Sequence, residues 1–239
     1  MRPATGRTRA CALIGTRVRG ARTHAHRQIA TFIGVLLVGL IAETAFSQSG
    51  LPGDSFESIY RRGSKLNADL KTLTAHFRET TTSSLLTRPL IASGTVAVER
   101  PSRVVLHYLQ PELRDVLIEG DRLTLAWPGR HIRDVTNIAS VNRRIQKYFV
   151  ESTPKELEQS FEVESQKADD RPGTYRLTMT PKRRQIREGL SRLELWLDES
   201  SLLLSAMRMT FPNGDTKLMV FDHVVANAPV DPAVFTAAR

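Results

Sequence analysis

Residues 94–101 read GTVAVERP. Val96 and Val98 alternate with Thr95, Ala97 and Glu99, the period of two expected of a strand with one buried face. Arg100-Pro101 ends the run, because proline has no N–H to extend a ladder. Working outward, the same logic predicts strands over 90–99 and 103–109, with Gln110-Pro111 as the turn after them. Residues 115–119 and 123–127 flank Gly120-Asp121, a hairpin signal, and Pro128-Gly129 turns into a strand over 130–135. Upstream, LTAHFRETTTS (73–83) is Thr-rich and suits a strand.

The period changes on both sides of this block. Phe56, Ile59, Gly63, Leu66 and Leu70 recur at helical spacing, and Asp54 with Glu57 gives a capping-box-like start, so a helix is expected over 54–71. From about Ala139, Val141, Ile145, Tyr148 and Phe149 share one helical face opposite Asn142, Arg143, Arg144 and Lys147. Ser152-Thr153-Pro154 then opens a short helix, KELEQS. Four more strands, 161–166, 175–180, 193–198 and 202–211, precede a last one at 216–225, and Pro212-Asn213-Gly214-Asp215 is a strong turn before it. The sum is about ten antiparallel strands in a meander, mainly β with α. Helices at 54–71 and 140–160 are available to cover one face. Residues 48–239 read as a single domain.

The chain has 239 residues and a formal charge of +9. Much of that charge is local. Residues 1–27 hold seven Arg and no acid, and an uncharged apolar run, IATFIGVLLVGLIA, spans 29–42. Small residues at Ala45 and Ser47 complete a signal-peptide pattern over 1–47, with cleavage expected before Gln48 and retention as an anchor as the rival. No Arg-Arg pair precedes the apolar run, which favours the Sec route, and Val18 is an alternative start. Without 1–47 there remain 27 basic and 24 acidic residues, about +3. That weakens a nucleic-acid reading, and periplasmic export becomes the expectation. The lone cysteine, Cys11, lies upstream of the apolar run. It therefore cannot be a lipobox cysteine, and the processed chain has none for a disulfide, a metal site or thiol catalysis.

Motifs for chemistry are absent. His76, His107, His131 and His223 show no metal-ligand spacing in sequence, and H-E-x-x-H, G-x-S-x-G, P-loop and G-x-G-x-x-G patterns do not occur. Asp222 and His223, adjacent in a strand, are expected on opposite faces. No catalytic residue, metal or cofactor is expected, and the expectation is a protein that is not an enzyme. Lys182, Arg183, Arg184 and Arg187 form the densest basic cluster. It reads as a solvated hairpin loop, or else as a contact for an anionic partner. No aromatic interleaves it, so nucleic-acid stacking gains no support. The 141–149 stretch reads either as a helix packed on a sheet or as a lid over an apolar cavity.

The ordered set of an export segment, leading helix, GTVAVERP, a strand ending Tyr108-x-x-Pro111, a turn at Gly120, a helical insertion and VDPAVF (230–235) resembles the outer-membrane lipoprotein carrier proteins, the LolA family. The sister LolB family shares the fold but carries a lipobox cysteine. The resemblance implies an incomplete antiparallel β-barrel with helices over its concave face. It implies that acylated lipoproteins or other lipids are the partners, carried from an inner-membrane release transporter to an outer-membrane acceptor by a soluble monomer. Carried over by position, Arg100 with Pro101 is the lid latch, bonding lid carbonyls. Val96, Val98, Leu106, Leu195 and Leu204 line the hydrophobic cavity, and Val141, Ile145 and Phe149 form the lid helix. The predicted interior is more aliphatic than aromatic, with Trp127 and Trp196 the tryptophans available to it. The alternative function is a sensor or interaction module on the same fold.

Overall fold

The computed structural model describes residues 55–145 and 152–236. The leading helix is α1 (Phe56–Leu66). It is followed by strands β1 (Thr72–Thr82), β2 (Leu90–Glu99), β3 (Arg103–Gln110), β4 (Arg114–Glu119), β5 (Arg122–Trp127) and β6 (Ile132–Asn137). Helices α2 (Ala139–Ile145) and α3 (Pro154–Ser160) come next, then β7 (Phe161–Lys167) and β8 (Thr174–Pro181). A short helix α4 (Arg184–Arg187), β9 (Arg192–Asp198), β10 (Leu204–Thr210) and β11 (Thr216–Ala226) complete the order. Eleven strands stand where the spacing predicted about ten. The expected signal peptide, 1–47, lies outside the described residues.

All eleven strands form one antiparallel sheet in the order β6-β5-β4-β3-β2-β1-β11-β10-β9-β8-β7. The sheet is an open half-barrel. The chain enters at the centre and meanders to the β6 edge. It then passes through α2 and α3 to the β7 edge and meanders back, so that β11 pairs with β1. The expected meander is thus two meanders joined by one long crossover, and that crossover is the helical insertion.

Alternation decides the faces. Val96 and Val98 on β2, Val104 and Leu106 on β3, Val116 and Ile118 on β4 and Leu123 and Leu125 on β5 join one apolar cluster. The same cluster takes in Phe77 on β1, Met219 on β11, Met207 on β10, Leu195 on β9, Leu177 on β8 and Phe161 on β7. In the half-barrel this shared face is the concave one, where side chains from nearly every strand merge. The opposite face carries two small separate clusters. One, built on Val105 and Leu117, is covered by Phe235 of the C-terminal segment; the other centres on Trp196. Trp196 is therefore on the convex face, whereas Trp127 packs against the concave cluster. That cluster is mostly aliphatic, with Phe and Tyr as its aromatics.

Gly94 is required where it stands. A Cβ there would lie 1.9 Å from the His107 carbonyl oxygen, at a register shift between β2 and β3. α1 begins one residue later than the Asp54 cap predicted, because the Ser55 hydroxyl accepts from the Ser58 N–H at 3.3 Å. It also ends earlier than 71. Asn67 donates from its backbone and side chain to the Gly63 carbonyl and from its side chain to the Ser201 carbonyl, which stops the helix. Leu66 is consequently exposed, and Phe56, Ile59 and Tyr60 form the buried stripe. α3 starts where Ser152-Thr153-Pro154 predicted a helix, and Thr153 with Glu156 forms a capping box there.

A second departure from alternation lies on β11. The β1–β11 register places Thr74 opposite Val225 and His76 opposite Asp222, so β11 holds one extra residue there. His223 takes φ +50° within this bulge. Asp222 and His223 therefore lie side by side rather than on opposite faces.

Candidate functional site

The concave face and the helices over it form the candidate site. Val96, Val98, Leu106 and Leu195, expected as cavity residues from sequence, all lie on this face at 1–3% exposure. Leu204 packs at its margin and is half-buried. β10 meets β9 there through a register irregularity. Phe56, Ile59 and Tyr60 of α1 and Leu157 of α3 cover the face, and Ile138 joins them at the exit of β6. α1 packs against both α3 and β7, and the Tyr60 hydroxyl donates to the Ser152 carbonyl at 2.9 Å. That bond ties the leading helix to the crossover.

Of the expected lid helix, Val141 packs partly buried against the concave cluster. Ile145 ends α2. Phe149 lies outside the described residues. Arg100 is half-buried at the end of β2. Its Nη1 donates to the Leu70 carbonyl at 3.2 Å and its backbone N–H to the Lys71 carbonyl at 2.8 Å. These bonds fix it to the segment between α1 and β1. Pro101 is exposed.

The alternating pattern conceals one polar cluster that sequence reading missed. The inward positions of β1 are Leu73, Ala75 and Phe77, and the next is Glu79, 4% exposed. Its Oε1 lies 2.5 Å from Lys217 Nζ of β11, and its Oε2 accepts from the Tyr108 hydroxyl at 2.7 Å. The Arg114 guanidinium lies over the Tyr108 ring, 3.8 Å from its centroid. Burial alone would raise the Glu79 carboxyl, but Lys217's charge and hydrogen bond, with help from Tyr108 and Arg114, hold it below its ordinary value. Burial pulls the Lys217 ammonium down against the opposing pull of Glu79. Burial, and then Glu79, push the Tyr108 hydroxyl well up. The sequence offers only half of the signal, an acid at an inward position of β1 and a lysine at an inward position of β11; the strand order that makes them neighbours is a property of the fold. The cluster puts fixed charge within an otherwise apolar face.

The basic loop resolves mostly into structure. Lys182 donates to the Glu158 carbonyl and Arg183 to the Ser160 hydroxyl, and Arg184 pairs with Glu188. Two of its charges therefore clamp the junction of α3 and β7. The C-terminal VDPAVF also has a structural role. Phe235 is buried on the convex face under the Arg103 guanidinium, and His107 joins Asp115 to the Val234 carbonyl.

The sequence model described as "Outer membrane lipoprotein carrier protein LolA" matches residues 68–238. No curated protein sequence matches the chain. Among solved structures, a putative outer membrane lipoprotein-sorting protein domain from Vibrio parahaemolyticus is 12% identical. It covers 74% of this chain and 94% of its own, with a TM-score of 0.41. The lipoprotein LppX of Mycobacterium tuberculosis is 14% identical over 73% of this chain and 96% of its own, with a TM-score of 0.43. MucB in its complex with MucA from Pseudomonas aeruginosa is 13% identical over 72% of this chain and 58% of its own, also with a TM-score of 0.43. No helix among the described residues is long and apolar enough to cross a membrane.

Proposed function

The chain belongs to the outer membrane lipoprotein carrier protein LolA family, and from that premise we propose that it is a periplasmic carrier. It takes the acyl chains of a lipoprotein, or of another lipid, against its concave face and moves them from the inner to the outer membrane. One observation carries the reading. Apolar side chains from nearly every strand form a single cluster, and that cluster is roofed by helices rather than by a second sheet. Burying one CH₂ is worth roughly 0.8 kcal/mol, so a 16-carbon chain needs on the order of 12 kcal/mol of apolar cover in transit. The concave face has that kind of surface, and in this scheme the helices over it shift to admit the chain.

No step in such a role makes or breaks a covalent bond, so the protein acts as a binding protein and not as an enzyme. Arg100 is the latch in this scheme. A half-buried guanidinium has five donors and is costly to leave unpaired, so its partners decide which state of the roof is favoured. Val96, Val98, Leu106, Leu195 and Leu204 contact the chains, and Val141, Ile145 and Phe149 close over them. The Arg100→Leu variant is expected to take up cargo and to fail in handing it on. Normal transfer by that variant would remove Arg100 from the scheme.

Native mass spectrometry of the protein purified from a periplasmic fraction tests the function. A co-purified lipid or acylated protein supports the carrier and identifies its cargo class. An empty protein that also refuses a fluorescent fatty-acyl probe would overturn the carrier in favour of a sensor or interaction module.

A further inference from the structure

On the convex face, away from the apolar site, the bulge in β11 assembles a group that the proposed carrier role does not use. His76 projects outward from β1, and Asp222 is its register partner on β11. In regular alternation His223 would face the other way. The extra residue and the left-handed backbone at φ +50° turn it back beside Asp222. His223 Nδ1 lies 2.9 Å from Asp222 Oδ1, and His76 Nδ1 lies 3.7 Å from the same oxygen. The two rings are 5.0 Å apart. One ligand atom from each of the three residues lies within 4.8 Å of the others.

We propose that His76, Asp222 and His223 form a three-ligand site for a first-row transition-metal ion of the zinc class. Two imidazoles and one carboxylate are a borderline nitrogen–oxygen set, which suits Zn²⁺ and Co²⁺ better than Mg²⁺ or Ca²⁺. Zinc–ligand bonds of about 2.0–2.1 Å in a tetrahedron place donors about 3.3 Å apart. From the observed spacing, small rotations of exposed side chains reach that geometry. All three residues are open to solvent, which leaves the fourth position to water. The backbone argues against chance juxtaposition. A left-handed residue other than glycine is uncommon, and here that conformation converts two divergent side chains into convergent ones. The site bridges β1 and β11, the seam where the first and last strands meet, so a bound ion would fasten the two halves of the sheet at their junction.

The test is calorimetric titration of chelator-treated, tag-free protein with Zn²⁺, backed by Co²⁺ absorption and by the thermal midpoint with and without Zn²⁺. One ion per chain is expected, with visible Co²⁺ bands of four-coordinate character and a midpoint raised by the metal. His76→Gln and His223→Asn should each weaken binding by at least tenfold. Asparagine is chosen at 223 because it tolerates the left-handed backbone, and an unchanged metal-free midpoint confirms that each variant folds. His131→Ala removes an exposed histidine elsewhere and should bind as the parent does. Absence of binding to the parent overturns the proposal. So does undiminished affinity in the His76→Gln/His223→Asn double variant, which would mark adventitious surface binding.

Discussion

Lys217→Met removes one half of the only acid–lysine pair that is buried on both sides among the described residues. Glu79 stays behind, 4% exposed, with the Tyr108 hydroxyl still donating at 2.7 Å and Arg114 beyond the ring. Breaking a buried pair in this way typically costs about 3–5 kcal/mol, because a charge is left without its counter-ion. For a domain of this size about 1 kcal/mol moves the midpoint by roughly 2–4 °C, so a fall of about 6–20 °C is expected. Thermal unfolding followed by tryptophan fluorescence measures the fall, and urea unfolding with the same probe the free-energy loss, since Trp196 is fully buried. The apolar double variant Glu79→Met/Lys217→Met should recover most of the loss. Replacing a buried pair by apolar groups is often neutral or better, although the Tyr108 hydroxyl then lacks its acceptor at about 1–3 kcal/mol.

The pH dependence supplies a sharper check. In the parent, Glu79 sits below its ordinary value of 4.5. Its contribution is therefore present above about pH 4.5 and is lost as pH falls through the lowered folded value. Without Lys217 the leading influence on Glu79 is burial, which favours the neutral acid. Acid then relieves the variant while it weakens the parent. The stability gap between the two should shrink from pH 7 towards pH 4. A gap below about 1 kcal/mol at pH 7, or one that does not change with pH, would refute the buried ion pair.

Gly94→Ala should be severely destabilising, by about 3 kcal/mol or more on thermal unfolding. The new methyl meets a backbone carbonyl that cannot rotate away and whose displacement means parting β2 from β3; a loss under 1 kcal/mol would contradict the register. Thr153→Ala removes the hydroxyl that accepts from the Glu156 N–H and donates to its carboxylate, for about 1 kcal/mol, and faster amide exchange in residues 155–157 would report it. Phe235→Ala opens the small convex cluster under Arg103 at about 3 kcal/mol. Because that residue is remote from the concave face, uptake of an acyl probe should be unchanged at a temperature where the variant is folded.

Local periodicity made most of the sheet legible. Residues 90–99 and 103–109 were delimited by Arg100-Pro101 and Gln110-Pro111, and their inward residues follow directly from the period of two. The concave assignments Val96, Val98, Leu106 and Leu195 follow the same way once the face is known. Three features were not legible, and each depends on a non-local fact. The Asn67 stop of α1 uses the Ser201 carbonyl, 134 residues away in sequence. The Glu79–Lys217 pair exists only because β1 neighbours β11. The convergence of Asp222 with His223 needs a bulge, and nothing in DHVV distinguishes a bulged strand from a regular one.

In the proposed carrier, the pairing of β1 with β11 also constrains how the roof can open. The two half-sheets are joined by hydrogen bonds at that central seam and by the crossover that links β6 to β7 at the far edges. The described ends of the crossover, Ile138 with Val141 and then Leu157, are packed on the concave cluster. A roof anchored to both edges cannot swing away like a flap hinged on one side. It must slide along the cluster, or the edges must part as it lifts. Parting the edges flexes the sheet about its centre, where β1 meets β11, and that seam holds the Glu79–Lys217 pair on its concave side and His76, Asp222 and His223 on its convex side. Access to the apolar face and the stiffness of the seam are therefore linked. A change that weakens the seam, such as Lys217→Met, should speed acyl-probe entry in parallel with its loss of stability, whereas Phe235→Ala, packed away from the seam, should leave the rate alone.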